Sequence, residues 1–266
     1  MKIQGDYHIH SGFSGGGHGT IDDIAREAKE RGLTEFALTE HGPGVFVGCK
    51  PKHFPHIRAL LKKAEREHDI SALFGIEANL MDATGRIDVM DEWRRDLDIV
   101  LLGIHPRIRV VSARSFFTFF LPNYFWIISH FLFRFTPKRR IRKNTEAMIR
   151  AIEKNNVDIW THPNKYFKLD VVQVAKTCAE YGTLIELNAK NGISFRPIDF
   201  ERMLGIGAKF IVNSDAHRPK DVGRVDRVAE FLKNCDYKPE DIVNLNSTFQ
   251  RPKSTRLEKL LEEEYN

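Results

Sequence analysis

Seven short apolar runs alternate down the chain with longer stretches of helical spacing, and nearly every run is followed at once by a histidine or a carboxylate. The runs cover 3–8, 35–38, 72–76, 99–103, 157–160, 184–187 and 210–212, and at this length, bounded by turn residues, they read as strands. The clearest helix covers 20–31. Thr20 can cap it, Asp23 lies at the capping-box spacing, and Ile21, Ile24, Ala25 and Ala28 form one apolar face that Gly32 ends. Further helices are expected over 54–68, 144–154, 170–181, 197–204 and 221–234. Strand followed by helix, repeated in this way, implies parallel pairing through right-handed crossovers.

Such pairing makes either an open doubly wound sheet or a closed barrel, and the polar residues after the strands separate the two. They are His8 and His10, Glu40 and His41, Glu77, His105, His162, Glu186 with Asn188, and Asp215 with His217. An open sheet concentrates its site at one switch point, whereas a barrel collects residues from all its strand ends on one face. The pattern therefore predicts an α/β fold, a distorted, TIM-barrel-like (β/α)7 barrel with seven units instead of eight. A single barrel domain over 1–246 is expected, interrupted by an insert at 107–143 after the fourth strand and followed by a charged tail at 247–266.

A chain of 266 residues can bury a core of this kind without disulfide staples. Its three cysteines, Cys49, Cys178 and Cys235, are odd in number and widely spaced, so they form neither a disulfide framework nor a CxxC zinc site and read as small buried hydrophobes. The first residues lack the basic start and apolar run of a signal peptide, and a reducing cytoplasm is the expected location.

In His8-Ile9-His10 two imidazoles lie two residues apart, which on an extended strand points both to one side; Asp215-Ala216-His217 repeats the spacing. Imidazoles and carboxylates at adjacent strand ends make a mixed nitrogen and oxygen ligand set suited to zinc, manganese or iron rather than calcium. Without a thiolate the site reads as catalytic. His53, His56 and His68, in or before a helix, read instead as solvated side chains. Glu40 is either a partner that orients a ligand or the cap of a loop.

These residues fall in the motifs DYHIHS, LTEHG, GIEAN, GIHPR, THPN and NSDAH, and in that order the sequence resembles the PHP (polymerase and histidinol phosphatase) superfamily, in particular its small stand-alone phosphoesterases. The resemblance implies a distorted seven-unit barrel and three divalent transition-metal ions. It places His8, His10, Glu77 and Asp215 on one metal, with Glu77 bridging to a second held by His105 and His162, and His18, His41 and His217 on a third. Glu77, Asp215, His217 and Arg218 are the residues expected to carry catalysis. In such a cluster a water shared between cations loses its proton, its pKa falling from that of bulk water towards about 7, and becomes the nucleophile. Arg218, Lys165 and Lys190 are the candidates for contact with phosphate. The expected reaction is hydrolysis of a small phosphorylated metabolite, histidinol phosphate among them. The alternatives are a nuclease or nucleotide phosphodiesterase acting on nucleic acid, and a non-catalytic binding or membrane-interface module.

The insert carries ten of the chain's twenty-eight aromatic residues between Phe116 and Phe135. Pro122, Asn123, His130 and Arg134 interrupt it, which argues against a transmembrane span. A lid over the barrel mouth, a homo-oligomer contact and a peripheral membrane contact are the functional readings, the first two favoured because the segment leaves from the catalytic end; a locally packed subdomain is the structural one. From Ile99 to Thr145 there are nine Lys or Arg and no Asp or Glu. The overall charge of +5 thus belongs to the insert, and the remainder, with thirty-two basic and thirty-six acidic residues, is slightly acidic.

Overall fold

The computed structural model describes residues 1–250 except Arg107, Val111 and Arg134, and leaves aside the side chains of His130, Phe131 and Phe133. Most of the expected tail, 251–266, lies outside the described residues. Seven parallel strands follow one another in chain order: β1 (Gly5–Ile9), β2 (Glu35–His41), β3 (Ser71–Asn79), β4 (Ile99–Gly103), β5 (Ile159–Trp160), β6 (Leu184–Asn188) and β7 (Phe210–Asn213). The barrel closes where β1 meets the chain just after β7: His10 N donates to Ala216 O at 2.9 Å and Ala216 N to His8 O at 3.2 Å. Asp6 reinforces the seam, accepting from Ser214 N at 3.1 Å and Gly223 N at 2.9 Å. At the opposite end Asn244 bridges Gly5 O and Val212 O.

The helices α1 (Ile21–Glu30), α2 (Phe54–His68), α3 (Asp91–Arg94), α6 (Lys138–Lys154), α7 (Val171–Tyr181), α8 (Pro197–Gly205) and α9 (Asp226–Leu232) lie in the connections. The expected capping box of α1 is present, with Thr20 and Asp23 exchanging hydrogen bonds, and Ile21, Ile24, Ala25 and Ala28 are its buried face. The last helix is shorter than its periodicity indicates. Pro219 opens a 3-10 turn, Pro219–Asp221, and Gly223 at φ 69° turns the chain out of helical geometry before α9 can start.

Alternate strand positions set the barrel's contents. Tyr7, Ala37, Ile99, Leu101, Ile159, Leu184 and Ile211 form a separate apolar cluster inside the barrel. Two or four residues further along the same strand faces stand Thr39 and His41, Gly103, Thr161, Glu186 and Asn188, and Asn213. The interior therefore passes from apolar to polar toward the C-terminal strand ends. Phe249 N donates to Tyr7 Oη at 2.6 Å and its ring stacks 5.5 Å away, so the start of the tail seals the apolar end.

The insert is helical: α4 (Ala113–Ser115), a π-helical stretch (Phe116–Phe120) and α5 (Leu121–Phe133). The wide turn precedes Pro122, whose missing N–H and ring are incompatible with an α-helical contact to the Thr118 carbonyl. That carbonyl instead accepts from Arg140 Nη1 at 3.5 Å. One side packs on the barrel, where buried Phe119 and Phe120 meet Phe167 and the amides of Asn123 and Asn144 pair reciprocally. Helix α6, expected from 144, begins at Lys138 and takes in the basic end of the insert.

Candidate metal centre

Glu77 stands at the middle of the polar end, fully buried, with five imidazoles around one carboxylate. Its Oε1 lies 2.7 Å from His162 Nε2 and 3.3 Å from both His8 Nε2 and His105 Nε2. Its Oε2 lies 2.8 Å from His41 Nδ1 and 3.6 Å from His10 Nε2. Asp215 Oδ1 approaches His10 Nε2 at 3.7 Å, His8 Nε2 at 3.9 Å and His217 Nδ1 at 3.3 Å. The ring of His10 also lies 4.2 Å from that of His41 and 4.4 Å from that of His217.

Three groupings of potential ligand atoms result: His8, His10 and Glu77; His41, Glu77 and His105; and His10, His41 and His217. His41 thus groups with Glu77 and His105 as well as with His10 and His217. The chemistry of these atoms is unfinished. His8 Nε2, both ring nitrogens of His10, His41 Nδ1 and Glu77 Oε2 are buried and make no hydrogen bond. Buried polar atoms without partners are costly, and converging lone pairs of nitrogen and oxygen fit divalent cations.

Charge in the cluster is mutually stabilised. Burial opposes ionisation of Glu77, but His105 and His8 hold it well below the usual carboxylate range. Asp215 is likewise held low against burial, chiefly by His8 and by its bond with His217. Burial also opposes a charge on His8, and Glu186, Glu77 and Asp215 overcome it, raising the imidazole well above its ordinary value. His10 goes the other way: burial, then His41 and His217, keep it neutral.

Neighbouring side chains choose the tautomers. His8 Nδ1 pairs with Glu186 Oε1 at 2.7 Å, which turns its Nε2 toward Glu77 and Asp215. His105 Nδ1 meets Asn79 Oδ1 at 2.5 Å, and Asn79 is held by Asp88, which accepts from its backbone N and from its Nδ2, both at 2.7 Å. Glu40 does not touch an imidazole; it accepts from Ser11 and Ser14 and fixes the loop after β1. His162 and Asp215 adopt φ values of 28° and 54°, uncommon backbone that the surrounding bonds hold in place.

The remaining site candidates are spread around the mouth. His18 is exposed; its backbone N donates to His217 O at 2.7 Å, and it lines a cavity of about 570 Å³ together with Lys190, Asp215, His217 and Arg218. Lys190 Nζ stands 2.7 Å from His217 Nδ1 and 3.5 Å from Asp215 Oδ1. Arg224 and Arg227, which the motifs did not single out, line the same cavity. Lys165 does not line that cavity: its Nζ stands 4.5 Å over the Tyr166 ring, and it borders two smaller cavities, one shared with His162 and one with Asn123 and Trp126, while its charge still acts on Lys190. No described residue of the insert lines the main cavity. His53 and His56 flank Phe13, and His68 pairs with Asp22 at 2.7 Å.

Gly103, at the end of β4, makes room for the cluster. A Cβ there would lie 2.6 Å from Thr161 Oγ1, 2.8 Å from His162 Cε1 and 3.3 Å from Glu77 Oε1. Gly103→Ala is therefore expected to lower turnover by about 10²-fold through displacement of His162 and Glu77, with the fold retained by circular dichroism. Wild-type turnover in the variant would show that these side chains can shift freely.

A family model described as PHP domain matches residues 6–197. A probable phosphatase of Caldanaerobacter subterraneus subsp. tengcongensis is 31% identical over 267 residues, covering 97% of this chain and 93% of its own. A probable phosphatase of a Thermoanaerobacter strain is 32% identical over 252 residues, covering 92% and 91%. Among solved structures, a histidinol phosphate phosphatase from Lactococcus lactis, in complex with zinc, L-histidinol and phosphate, gives a TM-score of 0.57 at 16% identity, covering 89% of this chain and 95% of its own. Identity that low bears on the fold alone.

Proposed function

The chain belongs to the PHP domain family of metal-dependent phosphatases, and we propose that it is a phosphomonoesterase that acts on a small phosphorylated metabolite with three divalent transition-metal ions. The observation that carries this reading is the set of buried, unpartnered nitrogen and oxygen atoms around Glu77, opening on a cavity lined by Lys190, Arg218, Arg224 and Arg227. His8, His10, Glu77 and Asp215 are assigned to one ion, His105 and His162 with Glu77 to a second, and His41 and His217 to a third, His18 joining from the rim. When bound, the ions would lower the pKa of a coordinated water and offset charge on the phosphoryl group.

The chain's own residues supply position and charge. Lys190, drawn to Asp215, and Arg218 present cations at the cavity wall beside His217, where phosphoryl oxygens gain negative charge. Burial lowers the Lys190 pKa, with Asp215 opposing that shift. The cavity accommodates a metabolite-sized leaving group, and its walls hold Asp221 and Asp226 as well as the arginines, a mixed lining suited to a polar compound.

Elemental analysis of the purified protein followed by a panel of phosphomonoesters, histidinol phosphate included, and phosphodiesters tests the proposal. Bound zinc, manganese or iron with monoester preference is the expected result; preference for diesters, or no hydrolysis after metal addition, would overturn it. Asp88→Asn is expected to weaken metal binding by about 10–100-fold, because an amide cannot accept from Asn79 N, Asn79 Nδ2 and Gly44 N together and the Asn79 carbonyl then loses its aim at His105. Titration of the metal-free variant with zinc measures it.

A further inference from the structure

The insert leaves one face of its helix without a protein partner. Phe117, Leu121, Phe125, Ile128 and Leu132 recur every three or four residues and are 43–63% exposed, and Phe135 beyond the helix is 57% exposed. This is one stripe along a helix whose other side is already packed on Phe167 and Asn144. Trp126 edges the stripe, its ring 4.9 Å from Phe125 and 6.0 Å from Phe135. Large apolar surface of this extent calls for a cover.

Charge identifies the cover. Arg109, Arg114, Lys138, Arg139, Arg142 and Lys143 are exposed, and the bond from Arg140 to Thr118 O holds the basic start of α6 beside the apolar helix. No acidic residue occurs from Ile99 to Thr145. A two-fold contact with a second copy would set this patch against itself, cation facing cation with no carboxylate from the segment to intervene. An anionic bilayer surface offers both halves of the match, acyl chains for the aromatic and aliphatic stripe and headgroup phosphates for the Lys and Arg.

We propose that residues 108–143 seat this enzyme on an anionic phospholipid surface, with the helix lying in the interface and the catalytic cavity left open. No helix among the described residues is long and apolar enough to cross a membrane.

Co-sedimentation of the metal-loaded protein with phosphatidylcholine vesicles, with and without phosphatidylserine, tests this. Binding is expected on the phosphatidylserine vesicles only, and high salt should release it. Combined Phe117→Ser, Phe125→Ser and Leu132→Ser, or separately Lys138→Gln, Arg139→Gln, Arg142→Gln and Lys143→Gln, should each weaken it by about tenfold or more while hydrolysis of a soluble ester stays unchanged. The second set sits on exposed positions, so it remains informative if the first fails to fold. Vesicle binding that is absent, or equal in wild type and variants, overturns the proposal. So does a concentration-dependent dimer that the serine variant converts to monomer without any lipid binding.

Discussion

Glu77→Gln is expected to lower turnover by about 10³-fold or more and to leave the purified protein short of at least one metal ion per chain. The substitution preserves shape, so the effect isolates charge. Both carboxylate oxygens already face imidazole nitrogens, Oε1 toward His8, His105 and His162 and Oε2 toward His10 and His41. A carboxylate placed among so many imidazoles can join two cations; a carboxamide offers one oxygen and turns two N–H donors toward nitrogens that must be free to bind metal. Steady-state kinetics on the best monoester and elemental analysis of the same sample read the two effects together. A Glu77→Gln protein that keeps its metals and its rate would remove Glu77 from the centre of the chemistry. Glu40→Gln is the matched control, since Glu40 is equally buried but bonds to Ser11 and Ser14 instead of the histidines.

The parts of this site that a reader of the sequence can find are those that strand periodicity controls. His8 on β1 and His10 just past its end stand two residues apart, so one observation of spacing places both on one face. The barrel itself is legible for the same reason: the change from apolar to polar at alternate positions recurs in strand after strand. What fails to show is set by loops and backbone. Asp88 reaches Asn79 from an irregular segment, and nothing about its local sequence marks it. His162 and Asp215 aim their side chains through left-handed backbone that no propensity foretells for these residue types. His18 follows a glycine-rich stretch, and its place at the rim depends on a backbone bond to His217 across the barrel seam. The aromatic insert was visible from composition, but which rings are buried depends on the π-helical turn before Pro122, and that turn decides which face remains exposed.

Removal of the metal ions is expected to lower Tm by about 10 °C or more. The folded protein brings the buried carboxylates of Glu77, Glu186 and Asp215 together, and several nitrogen and oxygen atoms there have no hydrogen-bond partner within the protein. Cations that bind only this arrangement stabilise it by about 4 kcal/mol at a thousandfold excess over Kd. For a chain near this size each kcal/mol moves Tm by about 2–4 °C, so one tightly held ion accounts for the shift and further ions extend it. In the metal-free fold Glu186, Glu77 and Asp215 raise the His8 pKa against burial, and the imidazolium offsets part of their repulsion. The gap between loaded and stripped protein should narrow as pH falls. His10 is kept neutral in the stripped fold, its pKa held below the ordinary histidine value, so acid costs that fold stability as protons bind the unfolded chain first. The loaded protein loses more, since protons compete with metal at every imidazole and carboxylate of the cluster. Thermal melts of loaded, chelator-stripped and zinc-restored protein at several pH values give both results at once. Equal melting of loaded and stripped samples would mean that the cluster is satisfied without cations, and with that the metal assignment around Glu77 would fall.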